Sequence, residues 1–487
     1  MLGMNWPGNL KLPVHRSWIV ASSAAGIVAG LALSHQLTVL ANWTWVLVGL
    51  GLLIGATILS RRVALPLAIM AGLLIGGARG ATDLEKQAVW SGAIGQTVTL
   101  RGTVVEDIDR GKNGEITLRL ANLRYKNRPL SGEVWLSLSG EAPIRRSDII
   151  QVEVLLRDGF GSFVASGYRA ELVDLVRPKH GDVALDVRDW FADAVRKVID
   201  EPMASLGLGF LTGQRRSLPP ELDDALRTVG LTHIVVASGY NLTILVRLIK
   251  RLFEKRSRFQ TVFFASLLIG GFIAITGMTP SMTRAGLVTG LALGAWYIGR
   301  QFHPVRLLVL AAAITGLITP SYVWGNLGWQ LSFLAFSGVM ILAPLMQRYF
   351  FGENPPGLIR QILGETLSAT IMTLPLLLLY FGQFSVVALL ANMLVLPLLP
   401  LAMLATFVAG LGEIVSGFSY QIIGLPAELV LGYMLKVTEF FASLPWAIVE
   451  VEIPDWQAGI MYLALIGAML YMWRATKLNL RNSSIVE

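Results

Sequence analysis

The sequence predicts a polytopic α-helical membrane protein with a small all-β barrel domain inserted after its first helices. Three observations predict it. The 487 residues are 54% hydrophobic and only 15% charged, with a mean hydropathy of +0.60, whereas a soluble chain carries about 25% charged residues. Apolar runs such as Trp18 to Leu33 and Trp43 to Leu59 cross or nearly cross a hydrocarbon core of about 30 Å. Residues 81–180 then switch to an alternating apolar and polar pattern, which marks half-buried strands. A soluble enzyme, a coiled coil and a disordered chain are excluded.

Taken in order, residues 1–80 predict three transmembrane helices, near 17–34, 40–59 and 63–80. Lys11 and Arg16 precede the first, the uncharged HQLTVL joins the first two, and Arg61-Arg62 joins the next pair. This alternation places the N-terminus in the cytoplasm and the segment after Gly80 outside. The first span resembles the apolar part of a signal peptide, but two more spans follow at once, which favours an uncleaved anchor.

Residues 81–185 read as an extracytoplasmic β domain. Val98 and Leu100, Ile116, Leu118 and Leu120, Val134, Leu136 and Leu138, Ile150, Val152 and Val154, and Ala170 and Leu172 alternate with polar residues. Turn formers punctuate them at Gly111-Lys112-Asn113-Gly114, Asn127-Arg128-Pro129 and Asp158-Gly159. About five strands in such a length suit a small closed barrel, and an OB-like barrel leads the candidates. Such barrels can hold single nucleic-acid strands on aromatic platforms and basic grooves, so Arg119, Arg124, Tyr125, Lys126 and Arg128 are candidate strand contacts. The plainer reading of each is a solvated hairpin residue.

Residues 186–204 predict an amphipathic interfacial helix. Val187, Trp190, Phe191, Ala194 and Val198 share one face, while Arg188, Asp189, Asp193, Arg196, Lys197 and Asp200 fill the other. The helix lies among headgroups with Trp190 as anchor, or packs on a neighbouring domain; the first is preferred.

Residues 205–487 predict a polytopic core with spans or half-spans near 229–249, 261–277, 283–299, 304–319, 329–346, 365–381, 385–411, 418–445 and 457–474. Arg247, Lys250, Arg251, Lys255, Arg256 and Arg258 mark a cytoplasmic loop. Glu450, Glu452 and Asp455 then fall outside and Arg474, Lys477 and Arg481 inside, unless Pro397 and Pro400 break a span and change the parity.

The net charge of +8 says little about a substrate. Residues 1–80 hold five basic and no acidic side chains, 81–185 fourteen of each, 186–260 twelve against nine, and 261–487 nine of each. The surplus lies beside spans, where basic residues are expected anyway. The absence of cysteine excludes disulfides and thiolate chemistry. The histidines at 15, 35, 180, 233 and 303 make no local metal pair. No phosphate-binding Walker A loop occurs. No cofactor, metal or catalytic residue is expected.

Polar residues inside spans mark functional sites by default, and they gather in three places. In Gly230 to Leu242, His233 and Asn241 lie eight apart on one helical face, with Ser238-Gly239 between them. Ser238 and His233 stand about 140° apart on a regular helix, so interhelical hydrogen bonding outweighs a Ser–His hydrolase. In Thr279 to Gly286, Arg284 starts a helix whose Gly286, Gly290 and Gly294 form a double GxxxG. That stripe packs a neighbouring backbone or lines a smooth conduit, and Arg284 meets phosphate or snorkels. The third place joins Gln330, Ser332, Phe381, Ser385, Asn392 and Pro397. Glu428 and Glu439 are about 16 Å apart on one helix, too far to share a proton.

These motifs resemble the ComEC family, the DNA-internalisation channels of bacterial competence. Leu218-Pro219-Pro220-Glu221-Leu222 and Gly230-Leu231-Thr232-His233 through Ser238-Gly239 resemble the family's GL.H..A.SG.H signature and its approach. Arg284-Ala285 with Arg300 resembles its RA helix, and Gln330 to Ala335 its QLSFLA segment. Leu374-Pro375, Phe381 to Ser385, and Asn392 with Pro397 resemble its LP, FGQFS and N…P pattern. Asn241 replaces the signature's second histidine, and Val236 a small residue. Many relatives carry a metallo-β-lactamase-like domain, and no HxHxDH occurs before Glu487.

The resemblance implies a bacterial inner-membrane channel passing single-stranded DNA into the cytoplasm during natural transformation. His233, Ser238, Gly239, Asn241, Arg284, Gly286, Gly290, Gln330, Ser332, Phe381, Ser385, Asn392 and Pro397 would line or brace the conduit. A DNA receptor, a separate nuclease and a cytoplasmic motor ATPase are the expected partners, beside membrane lipid. Two other readings stay open: a transporter or flippase for a small anionic solute or lipid, and an intramembrane hydrolase.

Overall fold

A computed structural model describes residues 16–59, 61–110, 115–126, 128–139, 142–179, 181–214, 218–235, 238–253, 255, 257–300, 303–417 and 421–478. Of the residues named above, Lys11, His15, Gly111 to Gly114, Asn127, His180, Val236, Ala237, Arg256, Arg481 and Glu487 lie outside these ranges. The chain divides into two compact units, Met1–Pro178 with Val305–Gln330, and Lys179–Pro304 with Leu331–Glu487.

The first unit begins with helices α1 (Arg16–Ala32), α2 (Thr44–Ile58) and α3 (Arg61–Gln87). α3 extends beyond the predicted span, to Gln87, and α1 and α2 are shorter than theirs. Two GxxxG pairs join α1 to α3. A Cβ at Gly26 or Gly30 would run into the carbonyls of Ile69 or Leu73, and one at Gly72 or Gly76 into those of Ser23 or Ile27. Lipid supplies no hydrophobic drive for pairing helices, so close backbone contact through small residues holds them.

A 3₁₀ turn, Ala88–Gly92, leads into the barrel and delivers Trp90 to the barrel core, where its indole N–H donates to the Ser131 carbonyl at 2.9 Å. Strands β1 (Thr97–Val104), β2 (Asp109–Arg110), β3 (Ile116–Tyr125), β4 (Arg128–Leu130), β5 (Val134–Leu138), β6 (Ile149–Asp158) and β7 (Ala165–Val176) follow. Five of them close in the order β1-β6-β7-β5-β3-β1, with β5 and β7 parallel and the other neighbours antiparallel. This is an OB-like barrel, as the alternation predicts. β1 pairs on both edges and closes it, with a register shift between Arg101 and Thr103. Gly102 sits at that shift, where a Cβ would lie 2.9 Å from Leu123 Cδ2.

Alternating residues fill the barrel, among them Leu100, Leu118, Leu136, Val152 and Ala170. Leu172 is the exception to the predicted inward face: it is exposed. The β6–β7 register shifts twice, and Arg169 takes a positive φ of 53°. Such a bulge re-phases the strand, so the residues after it change face.

The second unit opens with α4 (Val183–Arg196), capped by the Asp182 side chain on the Leu185 N–H. The helix ends before the predicted 204. Arg188 is buried, whereas Val187 and Trp190 are exposed. Phe191 stacks on Phe407 and, with Val195, fills the space a side chain at Gly410 would need. Then come α5 (Met203–Thr212), α6 (Pro220–Thr228), α7 (Thr232–Val235), α8 (Gly239–Leu252), α9 (Arg258–Thr276) and α10 (Pro280–Tyr297). Ala204 to Thr212 of α5 are all buried, as expected of a helix apolar on most of its surface. The predicted 229–249 span is not one helix: the α7 and α8 helices replace it, α8 starting from its Ser238 cap.

The chain then supplies α11 (Pro304–Ile318) and α12 (Ser321–Gly325) to the first unit, and the division falls within α13 (Leu327–Ser337). The second unit continues with α14 (Ala343–Phe351), α15 (Leu358–Phe381), β8 (Gln383–Ser385), α16 (Ala388–Val395), α17 (Leu399–Ser416), α18 (Gln421–Ala442), β9 (Ile448–Glu450) and α19 (Asp455–Thr476). Pro397 sits in a 3₁₀ turn, Leu396–Leu398, between α16 and α17, which is the interruption the prolines predict.

Among the described residues six helical stretches are long and apolar enough to cross a membrane: Val63–Gly92, Arg258–Thr276, Leu327–Phe351, Ile359–Phe381, Ala388–Ser416 and Asp455–Thr476. Shorter apolar helices accompany them, Ser17–Ala32 and Thr44–Ile58 included. The protein is a multi-pass membrane protein.

Candidate functional site

In the second unit the polar motifs meet around the break between α7 and α8. Ser238 caps α8, accepting from the Asn241 N–H and donating its hydroxyl to Asn241 Oδ1 at 3.0 Å. The Asn241 amide donates to the Phe210 carbonyl at 3.0 Å and the Ile234 carbonyl at 3.2 Å. Asn241 is wholly buried, so it braces the break and ties α8 to α5. His233 is exposed, with Nδ1 2.9 Å from the Gly230 carbonyl oxygen. No hydrogen bond joins His233 to Ser238 among the described residues, and the Ser238 hydroxyl points its proton at Asn241. A nucleophile needs its base within hydrogen-bond reach, and this pair lacks that geometry.

Arg284 reaches this break through Gly239. A Cβ at Gly239 would lie 3.1 Å from Arg284 Nη2 and 3.1 Å from Ala285 Cβ, a tight fit that brings α8 and α10 together here. Arg284 is buried, and its Nε donates to Ser332 Oγ at 2.7 Å. Ser281 Oγ stands 3.3 Å from the same hydroxyl, and the Phe333 and Phe336 rings flank the guanidinium at 5.8 and 5.0 Å. Among the described residues no carboxylate pairs with Arg284. By contrast, Glu413 pairs with Lys197 at 2.9 Å, and Glu428 accepts the Asp200 N–H.

The third motif touches the first from the other side, since a Cβ at Gly230 would lie 2.9 Å from Ala388 Cβ and 3.5 Å from Ser385 Cβ. Phe381 ends α15 and is exposed, Gly382 caps that helix in the left-handed region, and Ser385 closes the short β8–β9 ladder. Ser385 Oγ and Asn392 Oδ1 are buried with no hydrogen-bond partner among the described residues. Gln330 and the glycine stripe lie elsewhere. Gln330 donates to the Val323 carbonyl at 3.0 Å within the first unit. In the glycine stripe, Gly286 faces Ile273, whereas added side chains at Gly290 and Gly294 would meet nothing within 4 Å.

The barrel carries a second cluster. Trp135 on β5 lies edge-on to Phe160 at 5.7 Å and to Tyr168 at 5.2 Å, and Phe160 to Phe163 at 5.3 Å. The Arg119 guanidinium sits over Phe163 and Arg157 over Tyr168, at 5.1 and 5.3 Å. Phe160 and Tyr168 are 49% and 48% exposed. These residues come from β3, β5, β6, β7 and the β6–β7 loop, the face and loop on which OB barrels hold oligonucleotides. Arg119 pairs with Glu106 at 3.0 Å, and burial pushes the nearby Glu133 carboxyl above its ordinary range, opposed by Arg119.

Of the five DNA contacts predicted from sequence, only Arg119 belongs here. Arg124, Tyr125, Lys126 and Arg128 occupy the β3–β4 hairpin, about 20 Å further along β3. Lys126 packs over Tyr125 at 5.0 Å. Trp135, Phe160, Phe163, Tyr168 and Arg157, which form the cluster with Arg119, are not among the predicted contacts. Their signal was present as aromatic residues at outward positions, Trp135 standing across from Arg119 on the neighbouring strand.

Fold and site together define a multi-pass membrane protein that carries an OB-like barrel and brings several of its polar motifs together around the start of α8, beside a buried arginine. Residues 210–476 match the family described as "Competence protein", and the chain belongs to that family. It is 25% identical over 206 residues to "ComE operon protein 3" of Bacillus subtilis (strain 168), covering 41% of this chain and 25% of that protein. The chain therefore spans about a quarter of that relative's length. It is also 25% identical over 330 residues to an "Uncharacterized protein" of Aquifex aeolicus (strain VF5), covering 63% of this chain and 74% of that one. No solved structure matches. The motif resemblance to the ComEC family holds.

Proposed function

We propose that this protein is a bacterial inner-membrane channel that passes single-stranded DNA into the cytoplasm during natural transformation. The observation that carries the reading is Arg284: a buried guanidinium held by a serine hydroxyl and two aromatic rings, with no carboxylate partner among the described residues. A cation left unpaired among apolar helices is costly, and an intramembrane arginine ordinarily marks a pathway. Arg284 also lies near the N-terminal end of α10, where the helix dipole favours anions. Its planar donors suit phosphate oxygens.

In this reading the barrel holds the incoming strand on the Trp135, Phe160, Phe163 and Tyr168 platform. The α4 helix seats Trp190 among headgroups. His233, Ser385, Asn392 and the bare Gly290 and Gly294 border a hydrated path, which phosphates need because bare charge in hydrocarbon costs many kcal/mol. Ser238, Gly239, Asn241, Ser332 and Pro397 brace it. A DNA receptor delivers the strand, a separate nuclease makes it single, and a cytoplasmic motor ATPase pulls it.

Uptake of labelled duplex into a nuclease-protected state tests this. Arg284→Gln should lower uptake at least about tenfold at unchanged protein level, with Arg284→Lys between the two. Uptake persisting after deletion of the gene would reject the channel and leave a transporter of small anions.

A further inference from the structure

We propose that a cavity behind the β6–β7 loop is a separate subsite that takes one unstacked nucleobase of the strand held on the barrel; it rests on the strand-binding reading above. The cavity measures about 340 Å³ and is lined by His35, Trp90, Ser91, Asp158, Phe163 and Trp324, all of the first unit. That volume is at the small end of ligand pockets, fit for a base and its sugar rather than a longer segment. Its walls offer what a base needs. His35 and Trp324 both line it and stand edge-on with ring centres 4.7 Å apart, and aromatic rings are the groups on which unpaired bases stack. Asp158 and Ser91 add acceptors for exocyclic amines, and the carboxylate disfavours entry of a phosphate.

Two contacts fix the loop that forms one wall. Asn326 donates to Ser162 Oγ at 3.3 Å, and the backbones at Gly161 and Gly325 meet so closely that a Cβ at Gly161 would lie 2.8 Å from the Gly325 carbonyl oxygen. The wall is thus pinned to α12 and stays open without a ligand's help. Phe163 belongs to both places. It stands against Phe160 on the platform, carries Arg119 over its ring, and lines the cavity. A strand that leaves the platform past Phe163 meets the cavity with its next base.

The test uses the full chain in lipid nanodiscs with an oligodeoxycytidylate of about twelve residues, one of them 5-bromocytosine, photocrosslinked and mapped by mass spectrometry. Adducts are expected on platform peptides and, for one position of the label, on peptides holding His35 or Trp324. Trp324→Leu should remove the second adduct and weaken binding about three- to tenfold. Ala88→Trp, which fills the cavity from an exposed position, should do the same without touching the core. Adducts on the platform alone, or cavity adducts that survive Ala88→Trp, would overturn the subsite and leave the strand-binding reading standing. Binding at neither place would overturn both.

Discussion

Two glycine seams in this molecule share one motif and differ in everything else. On α1 and α3, Gly26, Gly30, Gly72 and Gly76 bring two backbones into direct contact, so that a Cβ at each would strike a carbonyl. On α10, Gly290 and Gly294 continue the same spacing, yet added side chains there would meet open space. The motif therefore specifies smoothness, and the neighbour decides whether that smoothness is used for packing or left bare. A bare seam in a polytopic core is what a passage for a bulky polymer would require.

The contrast can be broken at its strongest point. Gly72→Leu should cost at least about 3 kcal/mol, since backbone atoms cannot move aside as side chains do. Loss of folded protein in detergent, or a large fall in melting temperature, would register it. Gly290→Leu should leave melting within about 0.5 kcal/mol of the parent. Equal effects at both positions would erase the distinction.

Polar residues divide the same way. Asn241 is saturated, with both amide protons and its oxygen engaged, whereas Arg284 has no carboxylate partner among the described residues. Asn241→Leu should cost about 2–3 kcal/mol by stranding the Phe210 and Ile234 carbonyls. Arg284→Gln should affect uptake far more than melting.

On the barrel, the difference lies between the aromatic platform and the hairpin at Arg124 to Arg128. Trp135→Ala should weaken oligonucleotide binding about tenfold with little change in its salt dependence. Arg124→Ala should change affinity about twofold at most. Fluorescence anisotropy at several salt concentrations measures both.

The smallest expected effect concerns Glu133. Its carboxyl is raised by burial, so the folded state binds a proton more tightly than the unfolded state. It therefore costs stability once ionised, and stability falls as pH rises from the ordinary glutamate range through the raised value. Glu133→Gln should melt slightly higher than the parent at neutral pH and lose that part of the pH dependence.

Much of the architecture was legible because two periodicities write it into the chain. The period-two alternation fixed the barrel's inward face up to Ala170, and failed at Leu172 because a bulge and the positive φ of Arg169 are tertiary events without a pattern in hydrophobicity. The break at Ser238 was visible as a polar interruption, but α5 was not, because ten apolar residues fall below the length of a span. In α4 the amphipathic stripe was clear, but the burial of Arg188 beside exposed Val187 and Trp190 was not, because it depends on what the helix packs against. The motif residues were identified by type and order. Their grouping around Gly239 and Gly230 depends on close backbone approach between segments far apart in sequence. The platform has no local signature, because Trp135, Phe160 and Tyr168 are dispersed over three segments, whereas the basic residues of the hairpin are adjacent in sequence.

The central claim is that the open face of α10 borders a water-filled path used by DNA. The chain contains no cysteine, so Gly290→Cys places a single thiol on that face. In proteoliposomes, a charged, membrane-impermeant thiosulfonate should modify it readily, and bound single-stranded oligonucleotide should slow the modification at least about tenfold. Reaction only with a lipid-soluble maleimide, at a rate indifferent to the oligonucleotide, would place Gly290 against lipid and contradict the account.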